Sequence, residues 1–94
     1  MPKYYGYKVY GYYLYFTSHC IVEAMHVHAS DRKESERTAA KFFVKSNGDT
    51  LVANRGRLND RELAGIREFI KDNYREMYLR WSEISDEGFF GSKR

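Results

Sequence analysis

Cysteine is nearly absent from this 94-residue chain, in which Cys20 is the only one. A single cysteine excludes an internal disulfide and a metal site built from thiolates alone, and it is typical of a reducing compartment. The chain also lacks an apolar run of the length, about 20 residues, that a membrane span needs. Its start is not signal-like, because Lys3 is followed by alternating tyrosines. We therefore expect one cytoplasmic domain over residues 1–94 that does not contact a membrane.

Aromatic residues are abundant, with nine Tyr, six Phe and one Trp, and seven of the tyrosines lie between residues 4 and 15. This segment predicts two strands, Lys3–Tyr10 and Tyr12–Thr17, separated near Gly11. Both faces of the second strand carry large side chains, and one helical layer covers only one face. The other face either places tyrosine hydroxyls at the solvent edge of the sheet or joins two copies as a homo-oligomer through the Tyr-rich strands.

The middle of the chain predicts three further strands. They are expected at residues 25–29, 38–45 and 50–53, with a charged loop over residues 30–37 and a tight hairpin turn at Asn47-Gly48. A helical region begins at Asn59, which stands three residues before Glu62 in the spacing of a capping box. Its apolar side chains recur every three or four residues and form one buried stripe: Leu63, Ile66, Ile70, Met77, Trp81 and Ile84.

The length of this helical region predicts an interruption. One helix across residues 59–84 would measure about 39 Å, which is longer than a domain of this size comfortably covers. We therefore expect a kink or a break at Asp72-Asn73, where Asn73 and Glu76 repeat the spacing of a capping box. The tail, residues 85–94, is expected to fray, with Phe89 and Phe90 docking on the domain. The fold class is therefore α+β: an antiparallel sheet of four to five short strands, within residues 3–54, packed on one face by the C-terminal helical region.

His26 and His28 form the one constellation that indicates chemistry. On a strand, alternation places both imidazoles on the same face. The pair is either structural, or catalytic, or two ligands of a metal whose third ligand comes from His19, Cys20 or Glu23. In the catalytic interpretation the imidazoles are the acid and the base of RNA cleavage, and Glu23 orients one of them. Three cations would contact the phosphate: Arg55, Arg57 and Lys41. We expect no cofactor and no bound metal.

Asn54-Arg55-Gly56 precedes the helix and predicts a turn, because Asn and Gly accept positive φ. An anion site is the alternative, although Asp60 and Glu62 already stand at the positive end of the helix. The chain carries 16 Lys and Arg against 13 Asp and Glu, a net charge of +3. This excess permits contact with nucleic acid and does not require it.

Five motifs follow one another between residues 11 and 84: Gly11-Tyr12-Tyr13-Leu14-Tyr15-Phe16-Thr17-Ser18, Glu23-Ala24-Met25-His26-Val27-His28, Lys41-Phe42-Phe43, Leu51-Val52-Ala53-Asn54-Arg55-Gly56 and a helix that carries Trp81. This order resembles the small bacterial family known as domain of unknown function 4160. That family has Pro-Pro where this chain has Ala24-Met25, so the backbone before the strand is less constrained here.

The resemblance implies function only in outline, because the family has no settled biochemical activity. Its members often lie beside another small domain in loci that look like toxin–antitoxin modules. By resemblance, the family's motif positions are occupied by Glu23, His26, His28, Asn54 and Arg55. We therefore expect a toxin-like component that cleaves RNA through its His pair, with a cognate small protein from a neighbouring gene as partner. The alternatives are a non-catalytic protein-binding module, such as the antitoxin, and a small metal-binding protein.

Overall fold

A four-stranded antiparallel sheet and one long helix make up the computed structural model, which describes residues 3–16, 24–31, 39–83 and 89. The strands lie side by side in chain order. They are β1 (Tyr13–Tyr15), β2 (His26–Ser30), β3 (Ala40–Val44) and β4 (Thr50–Asn54), followed by helix α1 (Asp60–Ser82). The α+β fold class is confirmed. The described residues include no helix with the length and hydropathy to cross a membrane.

One face of the sheet carries the hydrophobic core. In the antiparallel register Leu14 lies opposite Ala29, and Val27 lies opposite Phe42. These four side chains are buried and belong to the same core cluster as the buried side chains of α1. Because side chains alternate along a strand, the residues between them point to the second face of the sheet.

The start of α1 forms as its sequence predicts. The side chain of Asn59 accepts the backbone N–H of Glu62 at 2.8 Å, and the Glu62 carboxylate accepts the backbone N–H of Asn59 at 3.0 Å. This reciprocal pair satisfies two of the backbone donors that a helix N-terminus leaves open. Farther along, the buried stripe consists of Ile66, Ile70, Met77 and Trp81.

The predicted interruption at Asp72-Asn73 is wrong, because α1 continues through both residues. Asn73 does not cap a second helix; its side-chain amide donates to the carbonyl of Phe69, one turn earlier, at 2.9 Å. A helix of 23 residues measures about 34 Å. The molecule is 34 Å long on its longest axis, so the helix spans its full length.

The predicted strand Lys3–Tyr10 is also wrong. Residues 3–12, here called the tyrosine segment, make only isolated bridges, Lys3 with Tyr15 and Val9 with Tyr12. The segment lies against α1, where the Tyr5 hydroxyl donates to Glu76 at 2.6 Å and the Tyr12 hydroxyl donates to Glu62 at 3.1 Å. Apart from the Lys3–Tyr15 bridge and the bond from the Tyr4 N–H to the Leu14 carbonyl, the segment packs along the helix and does not form a strand. Of the second predicted strand, residues 13–15 are observed.

The β3–β4 hairpin turns at the predicted residues. Gly48 has φ +89°, and its N–H donates to the carbonyl of Lys45 at 2.9 Å. Near the other end of the chain, the ring of Phe89 stacks on Tyr78 at 4.2 Å between centroids, so the docking expected for Phe89 is confirmed. Phe90, the charged run 32–38 and most of the tail lie outside the described residues.

Candidate functional site

The His26 and His28 side chains point to the second face of the sheet, as alternation predicts. They occupy the first and third positions of β2, and Val27 between them points into the core. The two ring centroids are 5.1 Å apart, and the ring planes are nearly perpendicular, at 87°. The fold therefore brings together the two titratable groups that the sequence singles out.

Both imidazoles are buried. His26 is 2% exposed and His28 is 3% exposed. The His26 ring contacts Phe43 at 5.4 Å and Trp81 at 5.6 Å between centroids. The His28 ring stacks on Tyr15 at 5.4 Å with an angle of 27°. The pair therefore lies inside an aromatic cluster that three different elements supply.

A backbone contact fixes the orientation of His26. Its Nδ1 lies 2.8 Å from the carbonyl oxygen of Ala24, which can only accept a hydrogen bond. Nδ1 therefore carries the hydrogen, and Nε2 is the basic atom of the neutral ring. The carbonyl of His26 in turn accepts the hydroxyl of Tyr4 at 2.9 Å. These two bonds tie the ring and the backbone of His26 to their neighbours.

Lys41 is the predicted cation that shares a face with the His pair. It lies opposite His28 in the β2–β3 register, and its Nζ is 4.9 Å from the ring centroid of Phe43. Its side chain is partly buried. An imidazole pair and an ammonium group thus share one side of the central strands.

Arg55 and Arg57 lie in the connection between β4 and α1. The Nε of Arg55 donates to the carbonyl of Leu58 at 2.9 Å, and its Nη2 pairs with Asp60. Arg55 therefore closes a turn onto the first residue of the helix. Arg57 is exposed. The role predicted for these two arginines in phosphate binding stays a prediction.

The other residues proposed from the sequence are not in the described part of the chain. Glu23, predicted to orient an imidazole, and His19 and Cys20, considered as metal ligands, all lie outside it. Within residues 3–16, 24–31 and 39–83, no group of three or more His, Cys, Asp or Glu side chains could hold a metal. Of the metal ligands considered from the sequence, His26 and His28 are the two that lie in the described residues.

Three aromatic side chains contact the His pair although the sequence does not predict these contacts: Tyr15, Phe43 and Trp81. The position of Trp81 in the helical stripe predicts a core residue, and this is confirmed. Its contact with His26 depends on how the end of α1 lies against the sheet. The Tyr15 contact depends on the β1–β2 register, in which Tyr15 pairs with His28. Neither relation is local in the sequence.

Comparisons with known proteins give one family. Neither the curated proteins nor the solved structures gave a match. The model of the family described as "Domain of unknown function (DUF4160)" matches residues 11–82. This range contains the whole sheet, the His pair and all of α1, and it confirms the resemblance drawn from the sequence motifs. The chain belongs to the DUF4160 family.

Proposed function

We propose that this domain is the non-catalytic, protein-binding member of a two-protein module of the toxin–antitoxin type. Its partner is a cognate small protein encoded by a neighbouring gene, as the family resemblance implies. The observation that carries the proposal is the burial of His26 and His28, which are 2% and 3% exposed. If the domain cleaved RNA, these two side chains would be the acid and the base. Neither of them lies on the surface.

Catalysis by the pair would require that a phosphodiester reach within hydrogen-bond distance of the imidazoles. The ring contacts with Tyr15, Phe43 and Trp81 occupy that space. Opening the cluster would separate the end of α1 from β2 and would expose the indole of Trp81. This requirement favours a structural role for the pair and a binding role for the domain.

Two large apolar side chains on the surface are suited to a protein interface. Leu79 on α1 is 65% exposed and Leu51 on β4 is 44% exposed. Covering a leucine that is exposed in the free protein stabilises a complex, because apolar area leaves water. Neither side chain is needed for the core, so both are accessible to substitution without loss of the fold.

The test is coexpression of the domain with the neighbouring gene product. We expect a stable complex, and we expect Leu79→Glu or Leu51→Glu to weaken it about tenfold or more, which corresponds to the loss of over 1 kcal/mol at an interface position. Ala64→Glu is the matched control, since Ala64 is an exposed position of the same helix and receives the same charge. A domain that forms no complex with the neighbouring product would contradict the proposal.

RNA cleavage is the second candidate function, and a specific observation favours it. The two imidazoles are 5.1 Å apart, and Lys41 lies opposite His28 on the adjacent strand. Two imidazoles and an ammonium group therefore share one face of the sheet, and these are the groups that acid–base cleavage of RNA uses. This candidate predicts growth arrest and RNA loss when the domain is expressed without its partner, and both effects would be abolished by His28→Ala.

A further inference from the structure

The start of the chain has an unusual charge pattern that the proposed function does not use. No Asp or Glu precedes Glu23, whereas Lys3 and Lys8 lie among the seven clustered tyrosines. Within the tyrosine segment every exposed position is Lys, Tyr or Gly: Lys3, Gly6, Tyr7, Lys8, Tyr10 and Gly11. The segment therefore presents cations and aromatic rings to solvent. A surface of this composition is suited to a polyanion that also carries flat rings.

Two of its aromatic rings are supported on one side only. Tyr7 is 54% exposed, and its ring stacks on Tyr5 at 5.2 Å with an angle of 30°. Tyr10 is 49% exposed, and its ring lies on the helix at Gly65, where an added Cβ would stand 2.3 Å from the ring carbon Cζ. Each ring is thus held by the protein on one face while about half of its surface meets solvent. Such a ring is a platform on which a base can stack.

The two platforms follow the helix axis. Tyr10 lies on Gly65, and Tyr7 contacts Phe69 at 6.4 Å between ring centroids. Gly65 and Phe69 are four residues apart, which is about 6 Å along a helix. The rings are therefore placed in a row, as successive stacked bases of one strand require, and they are not grouped around a single pocket.

The two lysines of the segment lie near the same aromatic ring. The Nζ of Lys3 is 3.9 Å and the Nζ of Lys8 is 5.4 Å from the ring centroid of Tyr13. Two ammonium groups beside the same ring repel each other, and an anion placed between them relieves that repulsion. On the helix side, the guanidinium carbon of Arg80 lies 5.1 Å from the ring centroid of Tyr5, which supports Tyr7. Cations thus lie at the ring of Tyr13 and at the ring of Tyr5.

Two carboxylates also contact the segment, and both are engaged there. Glu62 accepts the Tyr12 hydroxyl, and Glu76 accepts the Tyr5 hydroxyl. Each therefore contributes to holding the segment on α1. Because carboxylates repel phosphates, the phosphates of a bound strand must lie on the lysine side of the rings.

We infer that the exposed strip formed by Lys3, Tyr7, Lys8 and Tyr10 binds single-stranded nucleic acid. Bases stack on the open faces of Tyr7 and Tyr10, and phosphates lie between the ammonium groups of Lys3 and Lys8. The strip does not include Leu51, Leu79 or the His pair. It does not depend on the partner protein, and each of the two proposals can fail without the other.

The experiment measures binding of the full chain to fluorescein-labelled oligouridine and oligothymidine of about ten nucleotides by fluorescence anisotropy at low salt. We expect Tyr7→Ala and Tyr10→Ala each to weaken binding about tenfold, because each removes the stacking of one base. Tyr7→Phe and Tyr10→Phe keep the ring and should retain the wild-type affinity. These conservative variants separate stacking from any change in folding, which circular dichroism checks in parallel.

The lysines are tested by the salt dependence of the same binding. Replacing both with Lys3→Gln/Lys8→Gln should lower the slope of log affinity against log salt by about 1.4, since each phosphate contact on a single strand contributes about 0.7. Lys45→Gln, at the exposed β3–β4 hairpin, is the matched control, and this substitution should lower the slope less. The inference is overturned if neither oligonucleotide binds, if the alanine variants bind as wild type does, or if Lys45→Gln has the same effect as the paired lysine variant. If no oligonucleotide binds and Tyr7→Ala abolishes the complex with the partner protein, the inference is overturned and Tyr7 belongs to the protein interface.

Discussion

The indole of Trp81 lies 5.6 Å from the imidazole of His26, centroid to centroid, and this contact joins the last turn of α1 to the first residue of β2. Trp81 also meets the ring of Phe16 at 6.2 Å and is fully buried. The side chain therefore connects the helix, the sheet and the end of β1. The histidine pair is thus part of the packing that fixes the C-terminal end of the helix.

Trp81→Ala should lower the free energy of unfolding by about 3–5 kcal/mol, because it removes a large buried ring and leaves a cavity. The measurement is urea unfolding followed by circular dichroism, since the variant has no tryptophan to report. Leu79→Ala is the control: the side chain is 65% exposed, and its loss should change stability by less than about 0.5 kcal/mol. Equal effects of the two substitutions would mean that Trp81 does not hold the helix to the sheet.

His26→Ala and His28→Ala should each destabilise the fold by about 2–4 kcal/mol, because a buried ring is lost from an aromatic cluster. His26→Ala also removes the hydrogen bond to the carbonyl of Ala24. The measurement is the midpoint of urea unfolding, with Lys45→Ala as an exposed control. If either histidine variant is as stable as the wild type or more stable, the pair is not structural.

Gly65→Ala should destabilise the wild type, although alanine favours a helix by about 1 kcal/mol over glycine. The added Cβ would stand 2.3 Å from the ring of Tyr10, so the ring must move off the helix. In a Tyr10→Ala background the same substitution should instead stabilise the protein, since only the helix preference remains. Thermal unfolding of the four proteins gives the coupling energy. A stabilising Gly65→Ala in both backgrounds would show that Tyr10 does not lie on α1.

Tyr5→Phe should lower stability at neutral pH by about 1 kcal/mol, the usual contribution of one hydrogen bond. Burial, followed by the hydrogen bond to Glu76, raises the pKa of Tyr5 well above its usual range. The folded chain therefore keeps the phenol proton at a pH where the unfolded chain loses it. The stabilisation is complete below about pH 10 and is lost as the pH rises further.

The corresponding measurement compares urea unfolding of wild type and Tyr5→Phe between about pH 8 and pH 11. The difference in stability should shrink as the pH passes 10. Tyr7→Phe is the control, since the Tyr7 ring is half exposed, and its difference from wild type should stay near zero. A difference between wild type and Tyr5→Phe that is constant over this range would contradict the assigned bond.

Local signals in the sequence are enough to predict much of this fold. The Asn59 and Glu62 capping box, the hairpin at Asn47-Gly48 and the alternation of His26 and His28 each involve residues a few positions apart. Their geometry follows from backbone periodicity and from side chains that bond to nearby backbone. All three features are observed as predicted.

Features that depend on distant residues could not be predicted in this way. The alternating tyrosines of residues 3–10 favour a strand by composition. In the structure Tyr5 instead bonds to Glu76, a partner 71 positions later in the sequence. The burial of the His pair depends similarly on Trp81, which α1 brings to the sheet. The helix α1 is continuous because its buried side chains, from Ile66 to Trp81, all pack in one core. This packing outweighs the capping signal at Asn73.

The most direct test of the non-catalytic account is expression of the domain in a bacterial host that lacks the neighbouring gene. Growth and total RNA integrity are followed for the wild type beside His26→Ala/His28→Ala. The account predicts that the wild type is harmless, that RNA stays intact, and that the double variant differs only in stability. Growth arrest with RNA loss by the wild type, abolished in a folded double variant, would contradict it and would establish His26 and His28 as an active site.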